Sequence, residues 1–396
     1  MKEQKKQPEL RFKGFTDDWE QRKFGELYKK NLERNKDHFS SDRTISIATM
    51  RFKKEGNGAA ENSLVSYKVL REGDIAFEGH TSKRFAFGRF VLNDIGDGIM
   101  SPRFTTLRPT QDMPIKFWKQ YIHYEPIMRY PIVNSTKLGT MMNELVVDEF
   151  LNQPVLVPEL SEQQKIGSFF KQLDNTITLQ QRKLDLLTKL KQGYLQQLFP
   201  SKDKYLPRLR FKEFNGDWKQ CTMGEIFTER TERSGEGELI SVTINSGVVK
   251  ASELDRKDNS SKNKSNYKKV EIGDIAYNSM RMWQGASGYS PYKGILSPAY
   301  TVITPKNEID SEFFAYDFKR FNMIQAFKRN SQGLTSDTWN LKFPTLKSIK
   351  INVPHFDEQR RISNTFNQVD NMLLLQQTKI DQLNKLKQAY LQKLFP

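Results

Sequence analysis

Residues 161–198 place apolar side chains at Ile166, Phe170, Leu173, Ile177, Leu184, Leu187, Tyr194 and Leu198. Steps of three and four residues mark a helix with a narrow apolar stripe, interrupted at Gln180. Ser161 followed by Gln164 resembles a capping box, and Pro200 blocks continuation. The stripe returns in residues 357–396 at Ile362, Phe366, Val369, Leu373, Ile380, Leu383, Tyr390 and Leu394. At 1.5 Å per residue each helix is roughly 55 Å long. A lone helix of this kind leaves its stripe in water, so each needs a partner. Two near-identical stripes in one chain predict an antiparallel intramolecular coiled coil. The alternative is that each helix packs on its own globule.

The remaining sequence reads as mixed α/β. Strand candidates are residues 44–47, 74–77, 87–92, 274–277 and 300–303, short apolar runs rich in β-branched and aromatic side chains. The Gly-Asp pairs before Ile75 and Ile275 look like turns into buried strands. Phe117-Trp118 and Phe313-Phe314 open amphipathic stretches, expected to be helices covering those sheets. Residues 201–207 read as a linker.

These elements come in duplicate. Pro8-Glu9-Leu10-Arg11-Phe12-Lys13 recurs as Pro207-Arg208-Leu209-Arg210-Phe211-Lys212, and each copy continues to an Asp-Trp pair at Asp18-Trp19 and Asp217-Trp218. Gly73-Asp74-Ile75-Ala76 recurs as Gly273-Asp274-Ile275-Ala276, and Ser101-Pro102 as Ser297-Pro298. Residues 161–200 align with 357–396 without a gap, identical at about 23 of 40 positions, and both end in Leu-Phe-Pro. The stretches about 30–130 and 230–325 share only scattered anchors. A shared scaffold carrying two unrelated surfaces would look this way; drift in loops is the blander account. The residues before Pro8 are too few for another helix. The first repeat thus starts where a module would follow a Leu-Phe-Pro end, and the halves look circularly arranged around the helical pair.

Composition narrows the classes. At 396 residues, 37% of them hydrophobic and 27 of them Phe, the chain can bury two cores. The apolar runs are too short to span a membrane, and the charged start is no secretory signal, so a cytoplasmic protein is expected. A single cysteine, Cys221, leaves no disulfide framework and no cysteine-based zinc site. The formal charge of +16 is spread along the chain, which suits a folded surface tracking a polyanion.

Catalytic motifs are missing from the sequence. There is no phosphate-cradling Gly-x-x-x-x-Gly-Lys loop, no Gly-rich strand–helix turn for a dinucleotide, and no Asn-Pro-Pro-Tyr motif. The four histidines, His38, His80, His123 and His355, are not spaced as a helical metal pair. Asp17-Asp18 and Asp148-Glu149 read as surface charge. No catalytic residue and no metal site is assigned.

Basic and amide side chains do gather where strands turn. In the first half these are Arg51 and Lys53, the run Thr81-Ser82-Lys83-Arg84, Arg89 and Arg103. Arg and Lys at such positions suit guanine edges or phosphates, with Ser and Thr as secondary donors. In the second half Asn278, Ser279, Arg281, Trp283 and Gln284 occupy the position equivalent to the Lys83 loop. They combine a bidentate donor, amides suited to adenine and an aromatic ring. Lys264, with Lys262, Lys268 and Lys269, suits phosphate. A second pair of matched loops holds Lys137 in one half, Ser331 and Thr335 in the other.

With the repeated Glu162-Gln163 and Glu358-Gln359 helices, the Gly-Asp-Ile-Ala anchors, and the strings Arg281-Met282-Trp283-Gln284-Gly285 and Ser297-Pro298-Ala299-Tyr300, the whole chain resembles the specificity subunit (HsdS) of Type I restriction–modification systems. The resemblance implies an α+β fold: two mixed α/β target-recognition domains separated by two long helices forming an antiparallel coiled coil, in a pseudo-twofold tandem repeat. The domains would span 8–160 and 208–356, the helices 161–200 and 357–396. It implies a sequence-specific, non-catalytic DNA-binding subunit, each domain reading one half of a bipartite asymmetric site in double-stranded DNA. Two modification (adenine-methyltransferase) subunits would dock on the helices and carry S-adenosylmethionine. Restriction subunits, using ATP and Mg2+, would join them; the chain itself would hold no cofactor.

Two other classes stay open on the residues alone: a self-sufficient DNA-modifying enzyme with unfamiliar motifs, and a coiled-coil DNA adaptor that reads no sequence. The first would act on DNA by itself. The second would bind with strong salt dependence and no sequence preference.

Overall fold

The computed structural model describes residues 7–36, 39–56, 58–83, 85–201, 204–255 and 260–396. Helices and short antiparallel strands alternate along it. The chain forms two compact units, Met1–Gln181 with Lys379–Pro396, and Arg182–Thr378. The division falls inside the long helices, so each unit owns one globule and a piece of both helices.

Within the first unit a four-stranded antiparallel sheet runs in the order Tyr28–Lys30, Thr105–Pro109, Ile75–Glu78, Arg89–Leu92. The Gly-Asp-Ile-Ala anchor explains itself here. Gly73 takes a left-handed φ of +93°, making the turn, and Asp74 is wholly buried beneath it. Alternate strand residues then face opposite sides. Ile75 and Phe77 join the main core with Phe117, Trp118 and Phe150, while Ala76 faces a second core with Leu70, Val91 and Met100. The helix Ile115–His123 packs on the first face. The second unit repeats the scheme: strands Phe227–Glu229, Tyr300–Pro305, Ile275–Asn278 and Ser287–Tyr289, with Ile275 and Tyr277 toward the main core and Ala276 toward Val270, Leu296 and Val302. The expected strands are present with ends moved by one or two residues; the first is only Ile45–Ser46, and the last extends to Pro305.

The buried aspartate must be neutralised or paired. Burial pushes the Asp74 carboxyl up, against the pull of the Arg108 guanidinium, whose Nη2 donates to it at 2.8 Å. Asn31 Nδ2 also donates, at 3.3 Å. In the second unit Asp274 takes two bonds from Arg230, at 2.7 and 3.0 Å, and one from Thr304 at 3.0 Å. Lys29 lies opposite Arg108 and Thr228 opposite Thr304, so a threonine stands in the place of Arg108. Arg230, whose N–H donates to Val302 O as that of Asn31 does to Thr106 O, brings the guanidinium from the end of the neighbouring strand. The two halves solve one electrostatic problem by different routes.

The repeated Arg-Phe-Lys and Glu-Gln motifs form a clasp. Arg11 meets the buried Glu162 with two bonds, at 3.0 and 2.6 Å, and Arg210 meets Glu358 at 2.7 and 2.8 Å. Gln163 accepts from Trp118 Nε1 at 3.1 Å and donates to Pro158 O; Gln359 accepts from Asp310 N–H at 2.9 Å and donates to Pro354 O. The clasp ties the chain entering each module to the start of its long helix. The capping box expected at Ser161 is not formed. The helix already includes Leu160, and the Ser161 hydroxyl turns back to the Glu159 carboxylate.

The long helices are Leu160–Gln197 and Phe356–Leu394. In the first unit Phe169 packs on Tyr390 and Asp174 pairs with Lys387 at 2.7 Å. In the second Lys191 pairs with Asp370 at 2.5 Å, and Phe199 packs near Phe366. Partners rise in number on one helix as they fall on the other, which makes the packing antiparallel. Each helix also seats on a globule at both of its ends, so the two alternatives hold together. Ile166 and Phe170 enter the first core, and Leu198 and Phe199 the second.

The Leu-Phe-Pro ends close the circular arrangement. Phe199 sits against Trp218 and Phe313, and Leu209 N–H donates to Gln197 O at 2.9 Å. In the first unit the same place is taken from the other end of the chain. Phe395 sits against Trp19, Phe117, Tyr121 and Phe170, and Leu10 N–H donates to Lys393 O at 2.8 Å.

Candidate nucleic-acid interface

The two matched loops of each half, distant in sequence, meet. In the first unit the loop of residues 79–88 joins Ile75–Glu78 to Arg89–Leu92, and a small hairpin pairs Thr136–Lys137 with Glu144–Leu145. Asn143 N–H donates to Gly79 O at 2.9 Å, and Asn143 Nδ2 to Ala86 O at 3.2 Å. The approach is close enough to require glycine: a Cβ on Gly79 would stand 2.0 Å from Asn143 O. The second unit makes the same join through Leu341 N–H to Ser279 O, at 2.8 Å, beside the hairpin bridge Gln332–Asn340. A third segment joins in the first unit, where Lys53, His80 and Ser101 line one cleft of about 220 Å³. The Arg51 hairpin, the Lys83 loop and the Ser101-Pro102-Arg103 turn therefore present one surface.

On that surface Arg51, Lys53, Thr81, Ser82, Lys83, Arg103 and Lys137 are exposed. Ser82 Oγ accepts from Phe85 N–H at 3.0 Å, which shapes the loop. Arg84 lies outside the described residues, as does His38. Arg89 is placed differently from its neighbours: its guanidinium is held by Glu78 at 2.7 Å, opposite it in the sheet, and by Ala48 O at 3.1 Å. An arginine so committed gives up an internal ion pair before it can take a base.

In the second unit Arg281 is exposed at the loop apex and meets no carboxylate among the described residues. Asn278 and Gln284 are half-buried beside it, and Asn278 Oδ1 accepts from Met280 N–H at 3.0 Å. Ser279 is buried, its hydroxyl bonded to Thr301 at 2.8 Å, and the Ser331 hydroxyl donates to Phe327 O at 2.8 Å. Both serve the scaffold. Thr335 is exposed on a turn closed by Thr338. Lys264 is half-buried, whereas Lys268 and Lys269 face Glu229, Glu232 and Glu271 and are largely compensated.

The expected Trp283 has company in three residues that sequence reading missed, Trp339, Lys328 and Lys319. Trp283 donates Nε1–H to Met280 O at 3.0 Å and meets the edge of Trp339, ring centroids 5.1 Å apart. Lys328 lies 5.5 Å over the Trp339 ring. Trp339 stands in the matched second loop, and an indole in a run of Ser, Thr and Asn was a legible signal. Lys319 was not. Its Nζ donates to Gly285 O and Ile244 O, pinning the Arg281 loop from beneath, and burial lowers its pKa to about 8. The unfolded chain, with an ordinary lysine near 10.5, then binds the extra proton between these values, so folding gains stability as pH rises from 8 to 10.5. Thermal unfolding of Lys319→Met is expected to gain less than wild type across that window. Equal gains would assign the pH response elsewhere.

The family model of the Type I restriction modification DNA specificity domain matches residues 16–189 and again 215–385. The chain belongs to that family. It is a Type I restriction–modification specificity subunit with two recognition domains. The MjaVIII specificity subunit of a Type I restriction enzyme from Methanocaldococcus jannaschii is 23% identical over 289 residues, 67% of each chain. The crystal structure of the Type I restriction–modification S subunit from M. genitalium superposes with a TM-score of 0.59 at 17% identity, covering 98% of this chain and 99% of that one. A chain from a structure of type I R-M system complex assembly and conformational transition gives 0.52 at 16% identity, covering 95% and 97%. These likenesses show a common fold. No helix among the described residues is long and apolar enough to cross a membrane.

Proposed function

We propose that each loop cluster of this specificity subunit reads one half of a bipartite, asymmetric DNA site, while the chain itself performs no chemistry. The reading rests on one observation: equivalent sheets and loops carry different side chains, exposed Thr81-Ser82-Lys83 in one half and exposed Arg281 with half-buried Asn278 and Gln284 in the other. Lysine and threonine favour phosphates and mixed acceptors, whereas arginine and amides form bidentate pairs with guanine and adenine. Committed groups such as Arg89 and Ser279 hold the loops in shape; Arg51, Lys53, Lys83, Arg103, Lys137 and Arg281, which have no ion-pair partner among the described residues, face the duplex. The long helices set the unread spacer and dock two modification subunits that bring S-adenosylmethionine. ATP and Mg2+ act on restriction subunits, all in the cytoplasm.

Lengthening both helices tests this. Four residues inserted after Gln181 and four after Thr378 add about 6 Å of helix, a little under two base pairs of DNA. Methylome sequencing of cells expressing the variant with its modification subunit is expected to show both half-sites unchanged and the spacer longer. An unchanged spacer sinks the ruler, and no bipartite motif with the wild-type chain sinks the whole reading.

A further inference from the structure

The second loop of each module ends in a bare leucine. Leu138 stands four residues after Asn134 and Leu334 four after Asn330, so the two are equivalent positions of the matched loops, which also share the Asn-Ser pair but differ at the two residues between. Leu138 is 73% exposed and Leu334 fully so. A singly exposed leucine is ordinary on a protein surface; what sets these two apart is that both modules place one at the same position of a rigid tip beside the reading loop.

Both tips are built and held. Gly139 N–H donates to Asn143 Oδ1 at 3.1 Å, and a Cβ on Gly139 would stand 2.2 Å from Met142 O. Across the repeat, Thr338 Oγ1 accepts from Thr335 N–H at 3.1 Å and donates to Thr335 O at 2.9 Å. Gly333 takes φ +148°, and a Cβ there would stand 2.6 Å from Thr338 O. The joins from Asn143 to Gly79 and from Leu341 to Ser279 fix each tip beside its reading loop. Cations flank both tips: exposed Lys137 precedes Leu138, and exposed Arg281 belongs to the loop joined to the Leu334 hairpin.

We infer that Leu138 and Leu334 are matched wedges that enter a base step of the two half-sites, partly unstacking it. An apolar tip with an exposed cation beside it fits a polyanion whose bases are the only apolar surface within reach. The wedge is common to both modules, so it adds affinity and a preference for deformable steps, while the neighbouring loops choose bases.

The inference rests on the bipartite reading, and one experiment separates the two. The full chain with its modification subunits is bound to its methylome-defined site, with 2-aminopurine placed in turn at each step of each half. Fluorescence is expected to rise at one step per half. Leu334→Ala abolishes the rise in one half and Leu138→Ala in the other, each weakening binding about tenfold, the order set by returning one leucine to water. Leu334→Met retains the rise. Sequence-selective binding without any rise, or a rise that survives both alanine variants, overturns the wedge and leaves the bipartite reading intact. Loss of the modification subunits from Leu334→Ala before DNA is added also overturns it, since the leucine would then face protein. Binding without sequence preference overturns both.

Discussion

Exchanging residues 220–355 for the same region of another specificity subunit is expected to replace one half of the methylated sequence and preserve the other half and the spacer. The structure gives the exchange natural seams. The strand Lys219–Thr222 pairs with Lys350–Val353, so nearly all of this pairing travels with the donor and its register stays internal. The Arg210–Glu358 clasp stays behind, and so do Leu198, Phe199, Ile362 and Phe366, which line the second core. The donor must supply apolar partners for them where Phe313, Phe314 and Ile351 now stand. All of the second cluster, from Lys264 through Asn278 and Arg281 to Trp339, is removed at once. Methylome sequencing reads the outcome, and a change in both half-sites would show that the modules do not read independently.

Removing the Phe395 ring is expected to unfold the first unit well before the second, although the residue lies at the far end of the chain from that unit's globule. Phe395 is 2% exposed and packs on Trp19, Phe117, Tyr121, Tyr124 and Phe170. Phe395→Ala removes those contacts and leaves a cavity that five aromatic rings cannot readily collapse, a loss of about 3–5 kcal/mol. For a unit of this size the midpoint falls by on the order of 10 °C. Calorimetry of the variant should resolve one lowered transition beside one left in place. Phe199→Ala, which strips the equivalent ring from Trp218 and Phe313, should lower the other transition instead. A single transition that shifts as a whole in both variants would mean that the units unfold together.

Much of this was legible because it follows from local pattern. The 3.6-residue stripe gave the long helices to within three residues at each end, since helical periodicity repeats over ten turns. The Gly-Asp pairs announced buried strands because glycine alone turns comfortably at φ near +93° and an aspartate beside it can close the turn. The circular arrangement was visible in the Leu-Phe-Pro ends, and Phe395 against Trp19 supplies its physical form.

Which cations are free was not legible. Arg89 and Arg281 look alike in sequence, each near a strand end in equivalent segments. Only the sheet register, which sets Arg89 opposite Glu78, shows that one is spent and the other is not. Nor could spacing foretell that Arg108 serves Asp74 while Arg230 serves Asp274, because a buried carboxylate accepts a guanidinium from any adjoining strand. Ser279 and Ser331 suffered the same ambiguity; a hydroxyl serves backbone or ligand equally well until its neighbours are known.

The sequence by itself determined the duplication, the helical pair, the absence of catalytic motifs and the surfaces that differ between halves. These depend on residue order and short-range periodicity. The tertiary structure decided which loops share a surface, which charges are spent on internal ion pairs among the described residues, and that the last residues complete the first module. Those depend on contacts between residues tens to hundreds of positions apart, and no local pattern encodes which partner a side chain will find.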